Sequence, residues 1–257
     1  VVVTREPLPT RVEATPELPA GYGRALDAGV AALGLDLPEP ARTSIDGHVR
    51  LLLAWTDAIN LTAIRDPETV AIAHVTDSLS AVEVLRERGV DRFIDLGSGG
   101  GFPGLPVAAA LPAARGLLIE PVVKKARFLT TTIEATGLSS IAEAAAVRAE
   151  ALARDGRHRG QWPAVIARAV ANLADLIEMA LPLLEPGGIL VAWKRGDLAA
   201  ELVAADRALV ALGGGTVEIL PVTVPGLTGH RLIVVTAHRR VAETYPRDPA
   251  VRKRRPW

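Results

Sequence analysis

The sequence predicts an α/β fold in which a mostly parallel, seven-stranded sheet with an antiparallel last strand follows an N-terminal helical element. Three observations carry this reading. Apolar runs near residues 92–95, 116–120, 141–147, 164–168, 189–193, 217–222 and 231–237 are separated by helical stretches until the last pair. Strands alternating with helices mean a parallel sheet covered on both faces. Between the last two runs, Pro225-Gly-Leu-Thr-Gly229 is too short for a helical crossover, so those strands are expected to pair antiparallel. The first run ends in Asp95 and enters Gly97-Ser-Gly-Gly-Gly-Phe-Pro-Gly104, where residues without Cβ let the backbone turn sharply and approach a ligand ahead of a helix N-terminus.

Taken in order, residues 1–20 read as a polar, proline-containing leader, expected to be disordered and lacking the charged start and apolar core of a signal peptide. Residues 21–88 form the helical element. Gly21–Leu33 is its first helix, and Pro40–Ile59 is the second, with Ile45, Val49, Leu52, Leu53 and Ile59 on one stripe. Trp55 packs this element onto the sheet and Asn60 caps the helix end. Asp66 caps the next helix, with Pro67 at its first position, and that helix or helix pair continues to about Glu87. Residues 89–238 are the sheet domain. In the helix after Glu120, the pattern buries Val122, Ala126, Leu129 and Ile133 and leaves Lys124 and Arg127 outward. Residues 239–257 form a basic tail with Pro246, Pro249 and Pro256, expected to be disordered when free.

Composition narrows the classes of chemistry. The chain of 257 residues contains no cysteine, which excludes disulfides, thiolate metal sites and cysteine nucleophiles. Glycines and prolines interrupt the longest uncharged run, Leu96–Ala114, so it is no membrane helix, and a cytoplasmic protein is expected. His74 and Asp77 lie three apart on one helix face, within reach of each other or of the glycine loop, without a third ligand for a metal. Net charge is zero, which by itself argues against a nucleic-acid partner, because phosphate binding needs local cation density. Cations nevertheless cluster at Arg154, Arg157, His158 and Arg159, and along the tail at Arg239, Arg240, Arg247, Arg252, Lys253, Arg254 and Arg255. The tail is read as an RNA contact or a solubilising segment.

Two cofactor classes fit the glycine loop. Gly99-x-Gly101-x-x-Gly104 matches the dinucleotide fingerprint, with Glu120 near the distance of a ribose-binding acid. Asp95, two residues before the first glycine, together with Pro103 and Pro106 just after the loop, favours S-adenosylmethionine and a class I methyltransferase, a Rossmann-like fold. Ligands of such sheets bind at the carboxyl ends of the strands. There, Asp95 braces the loop, Glu120 accepts the ribose hydroxyls, and Arg148, Ala149 and Glu150 lie where the base is expected. Glu150 reads equally well as a first-turn helix acid. Arg168, half-buried at its strand end, needs an anionic partner: Asp95, Glu120, the cofactor carboxylate or an RNA phosphate. Lys194 and Arg195 at the cleft rim hold phosphate or are simply solvated. Phe102 is a candidate for stacking on a target base; Trp193 reads as core.

The motifs together resemble the bacterial 16S ribosomal RNA guanine-N7 methyltransferase family, RsmG, also known as glucose-inhibited division protein B (GidB). The resemblance is carried by Trp55 with Asn60-Leu-Thr62, Arg65-Asp-Pro67, His74 with Asp77-Ser78, Phe93-Ile-Asp-Leu-Gly-Ser-Gly-Gly-Gly-Phe-Pro-Gly-Leu-Pro106, Lys124 with Arg127-Phe-Leu129, Arg168-Ala169, Lys194-x-Gly196 and His230-Arg231. It spans roughly Ile45–Ala237 and leaves out the leader and the tail. It implies methylation of a guanine N7 in the 530 loop of 16S rRNA, with S-adenosylmethionine touched at Gly97, Phe102, Ala149, Glu150 and Arg168. With the reading of the strand ends, the expected cofactor set also includes Asp95, Gly99, Gly101 and Glu120. Arg168 and Lys194 are the expected catalytic residues; Lys124, Arg127, Arg148, Lys194, Arg195 and Arg231 are the expected RNA contacts. The expected partner is 16S rRNA or the 30S subunit, bound by a monomer without membrane or metal. Guanine N7 carries an in-plane lone pair and no proton, which agrees with the lack of a His, Cys or Ser catalytic constellation. A methyltransferase for another RNA or a small molecule, and a ribosome-associated binding protein without turnover, are the alternatives.

Overall fold

The computed structural model describes residues 7–257; the first six residues of the leader lie outside the described residues. A 3₁₀ turn at Val12–Ala14 precedes helices α1 (Ala20–Ala32) and α2 (Glu39–Ile59). Asn60 ends α2 in the left-handed conformation, φ 52°, the geometry of a helix C-cap that asparagine tolerates. Asp66 caps α3 (Pro67–Val70) by accepting the Thr69 N–H at 2.8 Å. The chain continues through a π-helical turn, Ala71–Thr76, into α4 (Asp77–Leu79) and α5 (Val82–Glu87). The described part of the leader is not the disordered segment its composition suggested; from Pro9 onward it packs on α2, where Trp55 Nε1 donates to the Pro9 carbonyl at 2.7 Å and Arg50 to the Thr15 carbonyl at 2.6 Å.

The α/β part follows as β1 (Arg92–Leu96), α6 (Gly104–Ala110), β2 (Arg115–Ile119), α7 (Val123–Ala135), β3 (Ala142–Ala145), α8 (Ala149–Leu152), β4 (Trp162–Arg168), α9 (Leu173–Ala180), β5 (Leu184–Arg195), α10 (Ala199–Ala211), β6 (Gly215–Pro221), β7 (His230–Ala237) and α11 (Pro249–Arg254). The seven-stranded sheet has the order β3-β2-β1-β4-β5-β7-β6. β1 pairs parallel with β2 and β4, β2 with β3, and β4 with β5, whereas β7 runs antiparallel to β5 and β6. Reversal of the neighbour order at β1 and β4 opens a crevice at the carboxyl end of the sheet.

Successive residues of the central strands point to opposite faces, and both faces are buried. Phe93, Ile166, Val191, Trp193 and Val234 join a core shared with Leu52 of α2, Leu105 of α6 and Leu129 of α7. Ile94, Leu96, Val165, Leu190 and Val235 join a second core with Ile177 of α9 and Leu209 of α10. The N-terminal helices therefore share one face of the sheet with α6 and α7. The expected buried stripe of α7 needs one correction: Val122 is 41% exposed. It occupies the extended N-cap position, one residue ahead of the helix and off the stripe formed by Ala126, Leu129 and Ile133.

The tail also differs from the disordered segment its composition suggested. After β7 it turns back across α8 and α9, held by Arg247 on Glu178, Arg252 on Glu150, and Arg154 and Arg159 on its own carbonyls. Several of the cations read as a free basic cluster thus fix this segment to the domain.

Candidate active site

A cavity of about 220 Å³ lies across the carboxyl ends of β3, β2, β1 and β4, the position dictated by the reversal of strand order. Leu96 and Gly97 line it from β1, Glu120 from the end of β2, Arg148, Ala149 and Glu150 from the β3–α8 junction, and Val170 and Met179 from the segment after β4. Gly97 has φ 69°, and a Cβ there would lie 3.0 Å from Val170 Cγ2. Glycine is therefore required both by the backbone and by the width of the cavity. Glu120 is only 6% exposed; its Oε2 accepts the Gly99 N–H at 3.0 Å and its Oε1 the Val122 N–H at 2.9 Å. Both carboxylate oxygens are thereby aimed while retaining lone pairs for further donors.

Asp95 stands behind the loop. It is fully buried, and its Oδ2 accepts the Gly104 N–H at 3.0 Å. A Cβ on Gly104 would fall 2.4 Å from that same oxygen, so the glycine lets α6 approach the end of β1. Burial pushes the Asp95 carboxyl up to about 7. Gly99 contributes its N–H to Glu120, whereas Gly101 faces His48, whose Nε2 donates to the Gly100 carbonyl at 2.7 Å. Phe102 does not reach the cavity. Its ring lies between those of His48, at 4.5 Å, and His74, at 4.8 Å, with the Arg168 guanidinium 5.4 Å from its centroid. At 7% exposure it fastens the loop to the helical element and offers no open face to a base. Burial lowers both His48 and His74 to about 4, with the Arg168 charge adding to the effect at His74, so both are neutral near pH 7.

Arg168 finds its anionic partner in Asp77, not in Asp95 or Glu120. Nη1 lies 2.8 Å from Asp77 Oδ2 and also donates to the Ala73 carbonyl, while Asp77 Oδ1 is 2.9 Å from His230 Nδ1. Arg168 and Asp77 side chains are 14% and 3% exposed. This pair joins the end of β4 to the start of α4, with His230 bringing in β7. His74 reaches the same cluster with Nδ1 and bonds Thr62 Oγ1 through Nε2 at 2.7 Å. Beyond Arg168 the chain turns through Ala169 at φ 57°, a conformation that costs about 1–3 kcal/mol for a residue with a Cβ and that brings Val170 to the cavity wall.

Lys194 is likewise engaged within the protein. Its Nζ donates to Glu201 at 2.6 Å and to the Ala171 carbonyl at 2.9 Å, and Glu201 also accepts the Leu173 N–H, so the group secures the segment between β4 and α9. Among the expected RNA contacts, Lys124, Arg127, Arg148 and Arg195 are exposed, and Arg231 is half-buried beside the Gly196 carbonyl. The structure thus gathers Gly97, Glu120, Arg148, Ala149 and Glu150 around the cavity. Asp95, Gly99, Gly101 and Phe102 form its supporting layer, and Arg168 and Lys194 act as ties beside it. His48 escaped the sequence reading, and Arg252 was read only as one cation of the basic tail. His48 left a signal, a polar residue one turn from Ile45 and Leu52 inside the apolar stripe of α2; Arg252 left none beyond its charge. Among the described residues there is no group of three His, Cys, Asp or Glu arranged to hold a metal, and no helix long and apolar enough to cross a membrane.

Known proteins share these features. Residues 42–225 match the model of the rRNA small subunit methyltransferase G family, GidB. Ribosomal RNA small subunit methyltransferase G of Roseiflexus sp. (strain RS-1) is 41% identical over 225 residues, 88% of this chain and 95% of the relative. The protein of the same name from Rubrobacter xylanophilus is 40% identical over 210 residues, 80% of each chain. Among solved structures, an O-methyltransferase from Bacillus cereus in complex with SAH superposes with a TM-score of 0.58 at 15% identity, covering 84% of this chain and 99% of that one. A methyltransferase from Geobacter sulfurreducens gives 0.52 at 19% identity, covering 86% of this chain and all (100%) of the other. These structural likenesses establish a shared fold.

Proposed function

The chain belongs to the rRNA small subunit methyltransferase G family and is an S-adenosylmethionine-dependent rRNA methyltransferase; from that premise we propose that its acceptor is N7 of a guanine in the 530 loop of 16S rRNA. The observation that carries the reading is the cavity itself. It combines a carboxylate whose two oxygens are fixed by backbone N–H groups, a left-handed glycine that removes steric bulk, and a wall running toward Ala149 and Glu150.

The residues fit the cofactor. Glu120 would accept the vicinal ribose hydroxyls, Val147–Glu150 would flank the base, and Gly97 would admit the remainder close to the backbone. S-adenosylmethionine supplies an electrophilic methyl group on a sulfonium. The chain's own contribution is placement, since holding two reactants in line is worth up to about 7–11 kcal/mol in well-oriented systems. No general base is required for N7, and the cavity lining contains no His, Lys, Tyr or Cys. Two nearby cations are already neutralised, Arg168 by Asp77 and Lys194 by Glu201. Neither therefore opposes the positive charge that guanine acquires, nor occupies N7 as an arginine reading guanine would. Exposed Lys124, Arg127, Arg148 and Arg195 supply phosphate contacts, a local cation density that a net charge of zero conceals. The base must be unstacked to reach the cavity, as in an RNA loop.

Transfer of tritium from labelled S-adenosylmethionine to undermethylated 30S subunits, and separately to free 16S rRNA, tests the reading. Label in either substrate that maps to a guanine N7 of the 530 loop supports it, label elsewhere contradicts it, and the preferred one identifies the better substrate. No label in both, with cofactor binding intact, would overturn it.

A further inference from the structure

Glu178 is fully buried on α9, yet the hydrogen-bond partners of its carboxylate among the described residues all come from the C-terminal segment. Arg247 donates its backbone N–H at 2.7 Å and its guanidinium at 2.6 Å, Trp257 Nε1 donates at 2.8 Å, and the Arg247 guanidinium sits 4.1 Å from the Trp257 ring centroid. Arg159 donates to the Tyr245 carbonyl at 2.9 Å and to the Ala242 carbonyl at 2.8 Å. A buried carboxylate without its partners is costly, so this segment belongs to the folded domain. Its next turn, α11, carries Arg252 onto Glu150, the acid that lines the cavity; the two side chains are 10% and 11% exposed. Arg252 takes Glu150 Oε1, while Glu150 Oε2 has no hydrogen-bond partner among the described residues and is not sealed from solvent. Arg252 Nη1 is buried without a partner.

We propose that residues 239–257, outside the region matched by the family model, brace the wall of the cofactor cavity from behind, with Arg252 as a positioning residue that holds Glu150 to accept the exocyclic amine of the cofactor's base. The inference rests on the reading of the cavity as the S-adenosylmethionine site. Its chemistry is specific. A carboxylate turned by an arginine on one oxygen presents the other as a fixed acceptor, which matches an amine N–H and opposes a carbonyl at the same position. A site built to bond one polar group rejects an analogue that lacks it, because the site's own group is left unpaired.

Titration calorimetry of the full chain with S-adenosylhomocysteine and with S-inosylhomocysteine, in which a carbonyl replaces the amine, tests the proposal. The wild type is expected to favour the adenosyl compound. Arg252→Ala is expected to weaken that binding about tenfold, the loss of one charge-assisted hydrogen bond, while leaving S-inosylhomocysteine little changed. Arg252→Lys should restore part of the preference; Arg252→Ala should also lower the melting temperature of the unliganded chain, because Glu150 is left buried without its partner, so the readout that isolates positioning is the ratio of the two affinities. Should Arg252→Ala fail to fold, Arg252→Gln carries the same test. Wild-type affinity and preference in the variant, or equal weakening of both ligands, would overturn the role of Arg252. Failure of the wild type to bind S-adenosylhomocysteine would instead overturn the assignment of the cavity, and the inference with it.

Discussion

Asp77→Ala is expected to destabilise the protein by about 3–5 kcal/mol, the penalty for removing one partner of a buried ion pair. The structure supports the upper class of effect because Asp77 is 2% exposed and serves two elements at once, Arg168 from β4 at 2.8 Å and His230 from β7 at 2.9 Å. Without the carboxylate, a guanidinium only 14% exposed would retain just the Ala73 and His74 carbonyls and the His74 ring. Solvent screening offers little relief at that burial. For a chain of this size, each kcal/mol corresponds to about 2–4 °C in Tm, so a fall of roughly 10 °C is expected. Urea denaturation monitored by far-UV circular dichroism measures the free energy. A cycle with Arg168→Met isolates the pair: once the guanidinium is gone, Asp77→Ala should cost at least about 1 kcal/mol less than in the wild type. A loss below about 1 kcal/mol, or strict additivity in the cycle, would refute the argument that this pair ties the helical element to the sheet.

Glu120→Gln should raise the Kd for S-adenosylhomocysteine by about tenfold or more without unfolding the chain, since an amide has one acceptor oxygen where the Gly99 and Val122 N–H groups and the ribose need two; unchanged affinity by calorimetry would contradict the ribose assignment. The pH profile of stability carries opposing contributions. His48 and His74, held near 4 against an ordinary 6.5, bind protons in the unfolded chain first, so their share of stability is lost as pH falls from 6.5 toward 4. Asp95, held near 7 against an ordinary 3.8, keeps its proton when folded, so its share is lost as pH rises from 3.8 toward 7. Asp95→Asn should therefore gain stability relative to wild type with rising pH, by up to about 4 kcal/mol between about pH 4 and pH 7. Parallel Tm profiles of the two proteins would contradict the buried, proton-retaining carboxyl.

The sequence exposed those features whose causes are local. Seven apolar runs became seven strands, the short Pro225–Gly229 junction set the antiparallel end, and Asp66 and Asn60 announced their caps through backbone chemistry that acts within a few residues. The cavity was legible for a related reason: strand ends are ligand sites in a parallel sheet, so Gly97, Glu120, Ala149 and Glu150 could be placed by counting from the apolar runs. Partner choice was not legible. Arg168 requires an anion from any sequence, but the one it meets, Asp77, lies 91 residues away on an element whose docking the local pattern does not specify. Glu178 looks like an ordinary helix acid, and nothing around Glu150 announces an arginine, until Arg247 and Arg252 reach them from the tail, and a segment rich in arginine and proline reads as disordered when its buried anions are written elsewhere. Phe102 seemed free to stack on a base because it lies inside a glycine-rich loop, whereas in space its neighbours are His48 and His74.

The most direct test of the proposed acceptor is to methylate undermethylated 30S subunits with this protein and map the product by N7-specific strand scission followed by primer extension. A single new stop at a guanine of the 530 loop, absent without S-adenosylmethionine, is the predicted result. Methylation elsewhere, or at the same base without susceptibility to scission, would contradict it.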